Sequence, residues 1–86
     1  MTGKHYNWHR RWVVDLAACT ATHDSGLVVQ AVRDDADGAT DYKPLNLDEW
    51  QDEMLATMPM SNLIPHAKRL MREAVEVYQR EQQRRH

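Results

Sequence analysis

Apolar residues in this chain change their spacing once, and that change decides the fold class. Between about 11 and 33 they follow the two-residue period of strands: Trp12, Val14 and Leu16 share one face, with Val13 and Asp15 on the other. Leu27-Val28-Val29-Gln30-Ala31-Val32 is a second β-type run, bounded by Asp24-Ser25-Gly26 and by Asp34-Asp35. Thr20-Ala21-Thr22-His23 also favours a strand, through its threonines. Residues 12–23 are therefore either one long strand paired with 27–33, or two strands with a turn at Ala17-Ala18-Cys19. Asp24-Ser25-Gly26 supplies a hairpin turn or glycine bulge in both cases.

Beyond Pro44 the period becomes helical. Asn46 is placed to cap a helix, with Glu49 three residues later as the other half of a capping box. Leu45 and Trp50 have the spacing of a hydrophobic staple, and Asp48 and Glu49 suit the positive end of the helix dipole. Leu47, Trp50, Met54 and Met58 then recur at helical spacing until Pro59, which predicts a helix over about 47–57. Ser61 or Asn62 is the expected cap of a second helix, with Pro65 tolerable in its first turn. Leu63, Ala67, Leu70, Met71, Ala74, Val77 and Tyr78 form its apolar stripe. Arg69–Glu73, Arg72–Glu76 and Glu76–Arg80 are opposite charges four residues apart, each pair contributing a few tenths of a kcal/mol. A helix over 63–82 would be roughly 30 Å long, about the width of a domain of this size.

The expected fold is thus α+β: a small antiparallel sheet of two or three strands within about 11–33, then two helices, about 47–57 and 63–82, packed on one face. Trp12, Val14, Leu16, Leu27, Val29, Trp50, Met54, Leu63, Leu70, Ala74 and Val77 are the expected core. Residues 1–9 read as a partly ordered arm, 34–44 as an acidic loop and 83–86 as a frayed polar tail. At 86 residues the whole reads as one small domain. A sheet of two or three strands leaves an open edge. Pairing of Leu27–Val32 across a two-fold axis, or packing of the last helix on its mate, favours a homodimer over a monomer.

Composition excludes several classes. With 42% hydrophobic and 28% charged residues the chain is neither disordered nor low-complexity. No apolar run approaches 18 residues, so no membrane partner is expected, and no signal peptide is visible after Met1. Cys19 is the single cysteine, which precludes an internal disulfide and fits a reducing compartment, so the expected location is cytoplasmic. The net charge of −2 is unevenly spread. Asp34, Asp35, Asp37, Asp41, Asp48, Glu49, Asp52 and Glu53 crowd the middle, while Lys4, Arg10 and Arg11 lie near one end. Lys68, Arg69, Arg72, Arg80, Arg84 and Arg85 lie near the other.

The unusual stretch is Tyr6-Asn7-Trp8-His9-Arg10-Arg11-Trp12, where aromatic and basic residues interleave. Tyr6, Trp8, His9, Arg10 and Arg11 can anchor a protein interface, where Tyr, Trp and Arg are enriched. The same residue types can stack bases and hold phosphates. In the plainer reading Trp12 is core, Trp8 closes the core edge and the arginines are solvated. Lys68, Arg69 and Arg72 make the last helix a second basic candidate, although Glu73, Glu76 and Glu81 interrupt its positive face. The acidic middle would repel phosphate unless it faced away, so protein is preferred to nucleic acid as the partner.

Metal and catalytic chemistry rank lower. His5, His9, Cys19 and His23 are zinc-type ligands within nineteen residues. On one extended strand, however, Cys19 and His23 would lie roughly 13 Å apart. His23-Asp24-Ser25 holds the residue types of a hydrolytic triad, but neighbours in sequence are not expected to converge as one. No glycine-rich phosphate loop occurs, and no cofactor is expected. The function these features favour is a small non-catalytic cytoplasmic protein acting through protein–protein contact. Its texture resembles that of small accessory proteins from bacteria and phages. The alternative is a nucleic-acid-binding accessory protein using Trp8–Trp12 and the basic last helix, and a metal-binding domain ranks third.

Overall fold

In a computed structural model of the protein the described residues are 8–33, 36 and 38–84. A short 3-10 helix, Trp8–Arg11, leads into four strands: β1 Trp12–Asp15, β2 Thr20–His23, β3 Val28–Arg33 and β4 Thr40–Pro44. Helices α1, Leu47–Met54, and α2, Met60–Arg84, follow. The strands form one antiparallel meander in the order β1-β2-β3-β4. The α+β class is as the apolar spacing predicts, with four strands in place of two or three.

Residues 12–23 are two strands, joined by a turn at 16–19 in which the Cys19 N–H donates to the Leu16 carbonyl at 3.3 Å. Leu16 is consequently half-buried in a turn and is not core. At the next turn the Gly26 N–H donates to the His23 carbonyl at 2.9 Å, and Gly26 has φ +104°, the conformation that favours glycine. The fourth strand comes from the stretch expected to be acidic loop. Asp41, Lys43 and Pro44 are poor strand formers, but β4 lies at the sheet edge, where they can face water. Tyr42 turns inward and meets Tyr78 of α2 edge-on, with ring centroids 6.0 Å apart. Because β3 lies between β2 and β4, both of its sides are used. The proposed two-fold pairing through Leu27–Val32 is therefore not available.

The helices also differ in their ends. Leu55–Thr57 form a turn beyond α1, so that helix stops at Met54. Helix α2 begins before both expected caps, and the Pro59 carbonyl accepts the Asn62 and Leu63 N–H groups, each at 3.0 Å. Pro65 lies inside α2. Its missing N–H deprives the Ser61 carbonyl of an intrahelical partner, which is tolerable because Ser61 is exposed to water. The helix runs on through Gln83 to Arg84, two residues of the expected frayed tail.

One core joins the sheet to both helices. Trp12, Ala21, Leu27 and Val29 from the sheet side meet Trp50 of α1 and Leu63, Leu70, Ala74 and Val77 of α2. Each fully buried Leu contributes about 1.5–3 kcal/mol over its exposed state. Ala21 and Ala74, both essentially inaccessible, leave room for α2 to approach the sheet closely. Val14 and Met54, expected in the core, pack half-buried on its margin. Ala21, Ala31, Tyr78 and His23 are buried in addition. The other sheet face carries Val13, 70% exposed, in register with Thr22 and then Val28. No helix of the described residues is long and apolar enough to cross a membrane.

Candidate interaction site

Trp8–Arg11 of the aromatic–basic stretch form the 3-10 helix, which leads directly into β1, whose Trp12 is committed to the core. The Arg11 carbonyl accepts the Asp24 N–H at 2.8 Å, which ties the end of this helix to the start of the β2–β3 turn. The Arg11 guanidinium repeats that tie through its side chain, at 2.9 Å from Asp24 Oδ2. Trp8 stacks on His9, with ring centroids 3.9 Å apart, and packs against the margin of the core. His9 Nε2 lies 3.4 Å from Glu76 of α2. Arg10 is exposed. Four of the five candidate residues are thereby placed on one small surface, and Tyr6 lies outside the described residues.

Two open hollows flank this segment along one side of α2. The first, of about 660 Å³, is lined by Trp8, Arg11, His23, Ser25, His66 and Glu73 among others. The second, of about 370 Å³, takes His9, Arg10, Trp12 and Val14 on one wall and Val77, Arg80, Glu81 and Arg84 of α2 on the other. Between them the Trp12 indole N–H donates to Glu73 Oε1 at 3.0 Å, which satisfies a polar atom of an otherwise buried ring.

The floor of the first hollow is a hydrogen-bonded chain. The Ser25 backbone N–H donates to His23 Nδ1 at 3.2 Å, so that nitrogen carries no proton. The Trp50 indole N–H donates to Ser25 Oγ at 2.9 Å, and the Ser25 hydroxyl donates in turn to His23 Nδ1 at 2.7 Å. His23, Asp24 and Ser25 thus lie together, but not as nucleophile, base and orienter. Asp24 Oδ1 lies 3.4 Å from that same Nδ1. A relay needs the nucleophile and the orienting acid on opposite ring nitrogens. Here both approach one nitrogen, and Ser25 Oγ is occupied by Trp50, so the arrangement ties the β2–β3 turn to α1.

Two histidines of this hollow have pKa values below the ordinary range. Burial depresses His23, opposed by the nearby Asp24 and Glu73 carboxylates. Burial and then the Arg69 guanidinium depress His66. Arg69 donates to His66 Nδ1 at 3.0 Å, and the His66 ring stacks over Trp50.

The chain matches no known protein-family model, no curated protein and no solved structure.

The remaining candidates are dispersed. Arg69 is engaged by His66 and lies 3.9 Å from Glu73, while Lys68 and Arg72 are exposed on α2. Of the suggested metal ligands, His9 faces Glu76, Cys19 is exposed in the β1–β2 turn and His23 is buried at the far end of β2. His5 lies outside the described residues. No group of three or more metal-ligating side chains comes together among the described residues. His66 and Glu73 were not visible as site residues, because only the packing of α2 brings them beside Trp8. Their helical phase marks His66 and Glu73 as one side of α2, but nothing local says what that side faces.

Proposed function

We propose that this protein is a small non-catalytic binding protein whose partner is another protein, engaged through Trp8–Arg11 and the surface beside it. The observation that carries this reading is the placement of Trp8: a large aromatic held at the core margin, half-exposed, with its ring stacked on His9. An aromatic anchored in this way loses little freedom on binding, which is what interface hot spots require. The competing reading, nucleic-acid binding, draws on Arg10 and Arg11 with Lys68, Arg69 and Arg72, and it is weakened at Arg11 and Arg69. Both are already engaged within the fold, by Asp24 and by His66. The single exposed thiol is in keeping with work in the cytoplasm.

The test is affinity capture from the native host with nuclease-treated lysate, using the wild-type protein and Trp8→Ala in parallel. A defined protein retained after nuclease and lost from Trp8→Ala supports the reading. Loss of all captured material on nuclease treatment overturns it in favour of nucleic acid.

A further inference from the structure

The two edges of the sheet are not equivalent, and the difference points to a binding mode. The Asp24 N–H donates to the Arg11 carbonyl, and β1 and β2 are paired in register Trp12↔His23 through Asp15↔Thr20. Antiparallel pairing alternates, so the backbone groups of Arg11, Val13 and Asp15 face β2 and those of Trp12 and Val14 face outward. Strand β1 ends the sheet, and no strand of the described residues covers that side. At the opposite edge the Leu45 N–H donates to the Val28 carbonyl, so the outward positions of β4 are Thr40, Tyr42 and Pro44. Proline has no N–H to offer, which blunts β4 as a template. The β1 edge has no such guard.

Beside the open edge runs the second hollow. Its floor is Trp12, Val14 and Val77, and Arg10, Arg80 and Arg84 stand around it with one acid, Glu81, which pairs with Arg84 at 3.3 Å. Arg10 and Arg80 have no charged partner among the described residues. A strand added to β1 would turn every second side chain into this groove. A second copy is a poor occupant, because a two-fold pairing of β1 strands would bring the two arginine sets together.

Resting on the proposed interaction function, we infer that β1 accepts an extended acidic segment of a partner protein as a fifth strand, with acidic side chains at alternate positions directed toward Arg10, Arg80 and Arg84. Backbone pairing with Trp12 and Val14 supplies the docking mode, and the arginines select the sequence.

The probe is a fluorescent octapeptide alternating glutamate and valine, titrated against the full chain and compared with the same peptide carrying lysine for glutamate. The glutamate peptide is expected to bind and the lysine peptide to fail. Binding should weaken about tenfold or more in an Arg10→Glu/Arg80→Glu double variant, since both residues are exposed and their reversal adds repulsion. Val14→Pro removes an N–H that β2 does not use, which an edge strand tolerates, and should abolish binding. N-methylation of alternate peptide nitrogens must do the same with the wild-type chain, so the inference stays testable if Val14→Pro does not fold. Absence of binding, equal binding of both peptides, or indifference to N-methylation overturns the edge assignment. Nuclease-resistant capture of a protein through Trp8 would in that event leave the broader interaction reading standing, whereas its loss would remove both.

Discussion

The side chain of Asn46 holds Val28, eighteen residues earlier, and does not hold its own helix. Its Oδ1 accepts the Val28 N–H at 2.9 Å and its Nδ2 donates to the Gly26 carbonyl at 2.8 Å. No side-chain cap bond to α1 is formed, and Leu45 is too exposed to act as a staple on the buried Trp50. The residue that looks like a helix cap fastens the β2–β3 turn to the start of α1.

Two substitutions separate these roles. Asn46→Ala should cost about 1–3 kcal/mol in urea unfolding, because it removes two bonds and strands the Val28 N–H. Asn46→Asp would preserve or improve a cap, since Asp and Asn cap equally well. Acting as a tie, it must lose stability, because a carboxylate cannot donate to Gly26 and is set against its carbonyl. An unchanged or raised midpoint in Asn46→Asp contradicts the tie.

Stability should fall as the solution is acidified through the histidine range. His23 and His66 have folded-state pKa values below the ordinary imidazole value of 6.5, so both are neutral in the folded and unfolded chains well above that pH. As pH drops below 6.5 the unfolded chain binds protons first, and the folded state loses stability until its own depressed pKa values are reached. Unfolding midpoints measured from pH 8 to pH 5 should be flat at the upper end and decline toward the lower. His66→Gln should shallow that decline. A midpoint that rises on acidification runs against these environments.

Cys19 sits at φ +59° in the β1–β2 turn, a left-handed conformation that costs a residue with a side chain roughly 1–2 kcal/mol. Cys19→Gly should therefore be more stable than Cys19→Ala by about 1 kcal/mol, and Cys19→Val should be the least stable of the three. Thermal melts of the three variants check the order. Alanine equal to glycine would mean that the turn has another shape.

What was legible in the sequence is what short-range physics controls. The alternation around Trp12 and Val29, the glycine turn at Gly26 and the stripe from Leu63 to Val77 each appear where the apolar period places them. Strand β4 was not legible, because its evidence is a neighbour: only Tyr42 of that stretch has a core-facing role, and Tyr78 supplies the surface it meets. Asn46 misled for a related reason. A short amide before an acidic turn satisfies every local criterion for a cap, yet Gly26 and Val28 compete for the same atoms. Trp8, Arg10 and Arg11 were visible as unusual residue types, but the hollows that give them context needed α2: His66 and Glu73 beside Trp8 and Arg11, and Arg80 and Arg84 beside Arg10.

The proposed preference of this surface for protein over nucleic acid is checked by anisotropy of labelled single- and double-stranded oligonucleotides at physiological salt. Only weak binding that salt removes is expected, with Arg10→Ala/Arg11→Ala changing the slope of log affinity against log salt by much less than the roughly two units expected for two phosphate contacts. Sub-micromolar binding at physiological salt, abolished by that double substitution, would contradict it.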